Sequence, residues 1–424
     1  MNPETEVQSI TAKNQRFEKG PGFASGLRDL PKHLNAKTIT AGVVAAVFGC
    51  TGPALIVLSA SSTGSLTPEQ AISWLFAIYF FGGIISIGLA LYYKMPINGA
   101  YSIPGAVMMI SALSTFSLNE AAGAYLMAGI IVLILGLSGL IGKVMRWLPL
   151  PIVMAMIAGA MIRFGTGIIT STQSTPYIGL AALAGFLLLP RMSKKIPPVL
   201  GALALGMIAA AYVGGLNLGG AEYTFVAPQL VAPQFTLNAF LSIGIPLAVL
   251  VMGAENAQAI GVLMSQGYKP PINMMTIISG VGGMITSAFG GHNANIAGPM
   301  TAICSSEEAG DKKEGRYAAT VINGVLFGAF GLIASIAVAF VSGLPKSLIG
   351  IVAGLAMIGV LISAFNEGFS TKKFKVGAFF ALVIAMSGIT IFNISAPFWA
   401  LVGGVIVSFL VESQDFKSIK NNQQ

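Results

Sequence analysis

Two stretches decide the architecture: Ile97 to Leu113, INGAYSIPGAVMMISAL, and Gly290 to Ser306, GGHNANIAGPMTAICSS. Each opens on small and polar residues, passes a Pro104-Gly105 or Gly298-Pro299 pair, and only then turns apolar. Neither offers the roughly 20 apolar residues that a single helix needs to cross about 30 Å of hydrocarbon. Non-helical backbone at that depth is tolerated only where protein or a wet cavity encloses it. Both stretches therefore read as an extended lead-in followed by a half-helix.

The surrounding chain is a membrane sequence. It has 9% charged and 55% hydrophobic residues over 424 positions, with a mean hydropathy of +0.81, against about a quarter charged in soluble domains. The first 38 residues are polar and lack the short apolar core of a cleaved secretory signal. Cys50 and Cys304 lie far apart inside apolar runs, which excludes a disulfide framework. The formal charge of +8 sits in short connections, so nucleic acid is not an expected partner and the lipid bilayer is.

Apolar runs predict an all-α polytopic membrane protein of fourteen segments. The first repeat, 39–216, holds Ile39–Ser61, Ala71–Tyr93, Ile97–Ser114, Ala122–Ile141, Pro151–Ile169, Tyr177–Leu189 and Pro198–Leu216. The second, 237–411, holds Leu237–Leu263, Ile272–Phe289, Asn293–Ser305, Tyr317–Ser342, Ser347–Phe365, Phe374–Ile394 and Phe398–Val411. Tails of 1–38 and 412–424 flank them. Cytoplasmic connections collect Lys and Arg, and this count places 21 of the 23 basic residues on one side, all but Lys346 and Arg163. Both termini are then cytoplasmic. Seven is odd, so the second set inserts upside down relative to the first. The interrupted segments are third in each set, and such matched pairs point to a midplane binding site at the interface of an inverted repeat. Their half-helix N-termini would face one cavity with free N–H groups, which suits an anion. Pro and Gly are also common in ordinary membrane helices, so only the matching carries weight.

Fourteen of the fifteen acidic residues fall in tails, connections or helix ends, Glu367 at the end of its span among them. Glu255, in VLVMGAENAQAIGVL (249–263), lies mid-span beside Asn256 and Gln258. A carboxylate at such depth costs about 2.5 kcal/mol or more and usually faces a cavity. Burial penalises its charge, so it can take up and release a proton; the alternative is a fixed cap on a broken helix. His292 can donate to a substrate or to Glu255, or be a structural histidine. Thr51-Gly52-Pro53 interrupts the first span as Gly253 to Gln258 marks its repeat partner, so Thr51 is expected at the cavity. Arg163 can attract an anion, but near a helix end the expectation is that it reaches the interface.

The chain resembles the BenE-type benzoate/proton symporters in Ser73-Trp74 of LTPEQAISWLF, AYSIPGA (100–106), GAYLMAG (123–129) and LIGKVMRWLP (140–149). The likeness continues in IRFG (162–165), FGGHNANIAGPMTAIC (289–304) and GRY (315–317). That family is related in turn to the uracil-permease type of fold. The resemblance implies a core domain of spans 1–4 and 8–11, a gate domain of spans 5–7 and 12–14, and transport by movement of one against the other. It also implies substrate among Ser102 and Ile103, His292 to Asn295, and Glu255. With the half-helix reading, the candidate contacts are Tyr101, Ser102, Ile103, Gly105, Gly291, His292, Asn293, Asn295, Glu255 and Thr51. Glu255 is the candidate proton carrier, with the proton as coupling ion and no metal or organic cofactor expected.

The expected function is proton-coupled symport of benzoate or a similar small organic anion across a bacterial inner membrane; a homodimer is compatible with it. Family members commonly have Gln-Asn where this chain has Glu255-Asn256, and nucleobase permeases use a carboxylate there. A nucleobase-like heterocycle is thus the nearest alternative, and an anion channel a more distant one. No HExxH motif, P-loop or intramembrane acid pair suggests an enzyme.

Overall fold

The computed structural model describes residues 17–140, 149–192, 197–217, 225–392 and 394–416. Lys13, Arg16, Lys143, Arg146, Lys194, Lys195, Lys417 and Lys420, and most of the 140–149 stretch, lie outside the described residues. The remainder is overwhelmingly helical. Among the described residues six helices are long and apolar enough to cross a membrane: Ala36–Thr63, Pro68–Tyr93, Leu118–Ser138, Leu150–Ser174, Leu237–Ser265 and Lys346–Phe369. A pair bent by 63°, Lys313–Leu332 and Ala334–Ser342, makes a seventh if counted as one span. Nothing in the apolar run of 317–342 predicts that bend. Apolar helices of 10–17 residues, such as Pro176–Met192, Pro198–Tyr212 and Ile272–Ser287, complete the set.

The helices pack in pairs. Pro68–Tyr93 lies against Tyr317–Leu332, Leu118–Ser138 against Ile272–Ser287, and Leu150–Ser174 against Lys346–Phe369. Apolar burial drives little helix association in lipid, so small residues that admit close backbone approach do the work. Gly280 touches the Leu133 backbone, and a methyl group added to it would sit 2.5 Å from the Leu133 nitrogen.

The two interrupted stretches meet at the centre. Gly99–Ala100 (β1) pairs antiparallel with Asn295–Ile296 (β2), Gly99 opposite Ile296 and Ala100 opposite Asn295. The Ala297 N–H donates to the Asn98 carbonyl at 2.8 Å, and the Ser86 hydroxyl bonds both the N–H and the carbonyl of Gly99. The extended backbones thus satisfy their polar groups inside protein. Because the strands are antiparallel, the helices that follow, Ile103–Ala112 and Gly298–Ser305, leave in opposite directions from a common middle.

A short amphipathic helix, Phe23–His33, docks on the end of Pro68–Tyr93. Its Asp29 pairs with Lys94 at 2.7 Å and Lys32 at 3.2 Å. Hydrogen bonds from these two lysines hold the Asp29 carboxyl down to about 2. A lowered carboxylate stabilises above its usual value near 3.9 and loses that contribution as pH falls through the folded-state value. Docking of Phe23–His33 is therefore expected to hold between about pH 8 and pH 5 and to weaken only below about pH 4. Amide exchange in 23–33 checks this; protection already lost near pH 6 would contradict it.

Candidate functional site

Glu255 sits on the Leu237–Ser265 helix, which is not regular: Phe240–Gly244 and Val251–Asn256 are π-helical turns. A π-bulge squeezes one extra residue into a turn and re-aims its side chains, and it marks functional positions often. The second bulge carries Glu255, which is 5% exposed. The polar groups facing its carboxyl are the Ile103 and Gly298 backbone N–H groups and the Ser102 hydroxyl. Ile103 and Gly298 are the first residues of the two short helices, so the carboxyl bridges both positive dipole ends.

A cavity of about 200 Å³ opens beside this carboxyl. One wall is Ile103, Pro104, Pro299, Glu255 and Gln258; the facing wall, from Leu150–Ser174 and Lys346–Phe369, includes Met154, Ile157, Ser363 and Glu367. Its volume falls below the 300–1,000 Å³ of drug-sized sites, which suits a small solute.

The structure divides the sequence-derived candidates. Ile103 and Glu255 line the cavity; Ser102 does not, but its hydroxyl faces Glu255 and its Oγ accepts the Gly105 N–H at 3.1 Å. Asn293 Oδ1 accepts the Ser102 N–H at 2.9 Å, tying the two stretches together. Asn295 is fully buried on β2, and both of its side-chain polar atoms are unpaired. Tyr101 packs behind the site, its hydroxyl 2.8 Å from that of Tyr79. Gly105 abuts Leu247 and His292, and Gly291 abuts Ala77, Ile78 and Thr286. Thr51 does not reach the cavity: its hydroxyl donates back to the Val47 carbonyl at 2.8 Å, and Phe48 lines the wall instead.

Of the two readings of His292, a donor to substrate or Glu255 and a structural histidine, the geometry favours the second. Its Nδ1 accepts the Trp74 indole N–H at 3.0 Å, so Nε2 carries the proton and donates to the Ser102 carbonyl at 2.9 Å. Both nitrogens are used inside the scaffold. Replacing His292 by Ala strands two buried partners and is expected to destabilise the protein by about 2–4 kcal/mol. A thermal melt in detergent measures this, and an unchanged midpoint would show the imidazole to be dispensable.

Gln258, Ser363 and Glu367 complete the cavity and were absent from the sequence-derived set. Gln258 was findable, three residues past Glu255 on one helical face. Glu367 was not: it lies in the last turn of its helix, where the sequence placed it, but nothing in the sequence shows that this helix end lines the cavity with Glu255.

The BenE family profile, described as benzoate membrane transport protein, matches residues 32–410. The chain belongs to the BenE family. This family member is 28% identical over 371 residues to the inner membrane protein YdcO of Escherichia coli, covering 87% of this chain and 94% of that one. It is 26% identical over 385 residues to the benzoate membrane transport protein of Acinetobacter baylyi, covering 91% and 98%. Among solved structures, the transmembrane domain of the cyanobacterial bicarbonate transporter BicA matches at TM-score 0.58 and 16% identity, over 88% of this chain and 97% of that one. SLC26A9 matches at TM-score 0.60 and 15% identity, over 97% and 70%. The BenE chain is thus a membrane transporter with the fold of these structures.

Proposed function

We propose that the chain is a proton-coupled symporter of benzoate or a similar small aromatic carboxylate in a bacterial inner membrane. One observation carries this reading: a buried carboxyl group faces two helix N-termini at the edge of a solute-sized cavity. Ionised Glu255 occupies the N–H groups that an anionic substrate needs, and two carboxylates cannot share them without strong repulsion. Protonation of Glu255 releases those groups to the substrate, so proton and anion enter together and leave together. A nucleobase-like heterocycle is the second reading, supported by the carboxylate at this place; an anion channel lacks a use for it.

The fourteen-segment inverted repeat is the architecture behind this cycle. Exchanging each segment with its repeat partner turns the second-with-eleventh packing into ninth-with-fourth, and maps the fifth-with-twelfth and third-with-tenth contacts onto themselves. That symmetry supports two inverted sevens. With spans 1–4 and 8–11 as core and 5–7 and 12–14 as gate, the cavity lies on their seam. Sliding of the core along the gate would carry Glu255 and the bound anion from one side to the other.

The test is binding of benzoate against methyl benzoate to the purified protein, followed by thermal shift. The acid is expected to stabilise at concentrations at least about tenfold below the ester, a tenfold ratio being 1.4 kcal/mol. Equal stabilisation by both removes the helix-dipole reading, and stabilisation by uracil alone favours the heterocycle.

A further inference from the structure

Two and a half turns farther along Leu150–Ser174, about 13 Å from Met154 at 1.5 Å per residue, Arg163 lines a second cavity of about 480 Å³. Arg163 is exposed, in keeping with a side chain that reaches the interface, and its guanidinium lies against Gly388, whose φ of +63° ends the Lys375–Ser387 helix. The opposite wall is hydroxylic: Ser59, Thr63, Ser111, Ser114 and Thr115. Arg163 is the one charged residue among the described residues that line this space, and none of their ion pairs involves it. The adjoining connections, 62–67, 113–117 and 388–395, contain no Lys or Arg.

The two cavities approach but do not join. A tight apolar contact of Pro104, Met108, Met156, Ile157, Met161 and Leu250 stands between them. Met108 also lines the Arg163 cavity, and Pro104 and Ile157 also line the Glu255 cavity. Methionine side chains are unbranched and repack easily, so this barrier can yield without moving backbone.

We propose that the Arg163 cavity is a separate capture site for a small organic carboxylate, seated in series with the Glu255 cavity across a methionine plug. An uncompensated guanidinium offers a planar fork that matches a carboxylate, and the wall facing it is polar, although the Thr63, Ser111 and Ser114 hydroxyls donate to carbonyls of their own helices. A cleft lined by one sign of charge also concentrates ligands of the other sign. The place of this site in a transport path rests on the symport reading; its preference for anions does not.

The test separates the two. Ser111, exposed on the hydroxylic wall, is replaced by Cys, and labelling by membrane-impermeant methanethiosulfonates is timed in right-side-out vesicles. The unmodified chain, whose Cys304 is buried and Cys50 partly so, is the blank. With rates normalised to a free thiol, the sulfonate reagent is expected to exceed the trimethylammonium reagent by about tenfold. Adding Arg163→Gln brings the ratio close to one, and Arg163→Lys keeps most of it. Ser114→Cys on the same wall repeats the measurement. Equal rates for the two reagents with Arg163 present overturn the proposal. In benzoate uptake, Arg163→Gln is expected to raise KM several-fold with Vmax retained. Absent uptake by the unmodified chain, with the labelling preference intact, would reject benzoate symport and leave the capture site standing.

Discussion

Glu255→Gln is expected to abolish benzoate accumulation driven by a pH gradient while sparing benzoate binding. The two side chains are nearly the same size, and a neutral amide, like the protonated acid, leaves the Ile103 and Gly298 N–H groups to an anionic substrate. What disappears is the exchangeable proton. With one proton per solute, each pH unit of gradient supports about tenfold accumulation, or 1.36 kcal/mol; without it the internal concentration can only equal the external one. Proteoliposomes given an inward gradient of about two pH units should therefore fall from roughly a hundredfold accumulation to none. Exchange of labelled for unlabelled benzoate across the same membranes should persist, since a neutral side chain at 255 mimics the protonated state. Accumulation that survives in Glu255→Gln would move the proton site elsewhere, with Glu367 on the facing wall as the next group to vary.

Gly298→Ala is expected to cost nearly as much by a different route. A methyl group there would collide with the Gln258 carboxamide oxygen and lie 2.7 Å from its Cδ and 2.8 Å from its Cβ. The far end of Gln258 can swing away, but its Cβ is fixed to the Leu237–Ser265 helix, so that helix and Gly298–Ser305 must part. Overpacking of this kind typically costs about 1–3 kcal/mol, and the strain falls where the Gly298 N–H meets Glu255. Benzoate uptake is expected to drop by about a hundredfold, in line with what small misplacements do to positioned groups. Gly298→Ala combined with Gln258→Ala removes part of the clash and should recover part of the loss, a coupling that contacting residues show. Wild-type uptake by Gly298→Ala alone would mean that the contact between the two helices is looser than described.

The legible part of this molecule was its one-dimensional physics. Low charge, apolar runs and the sorting of Lys and Arg identify a polytopic membrane protein, and the paired breaks at Pro104-Gly105 and Gly298-Pro299 reach the crossing that organises it. Glu255 stood out because a carboxyl amid apolar residues is expensive anywhere in the bilayer. The resemblance in 100–106 and 289–304 agrees with the family to which the chain belongs.

Other properties depended on what lies across a gap. His292 stays open between donor and structural histidine until Trp74 and the Ser102 carbonyl take its two nitrogens, and these partners lie 218 and 190 positions away. Thr51 reads as cavity-lining until its hydroxyl is seen bonded one turn back. Glu367 is a helix end in sequence and structure alike, and only the packing of Lys346–Phe369 shows that this end lines the cavity with Glu255. The bilayer acts on each segment separately, through length and transfer cost, so composition alone reveals which segments enter it and which residues are costly there. The satisfaction of buried donors and acceptors is pairwise and long-range, so which polar groups stay free for a solute was decided only when the two interrupted stretches crossed.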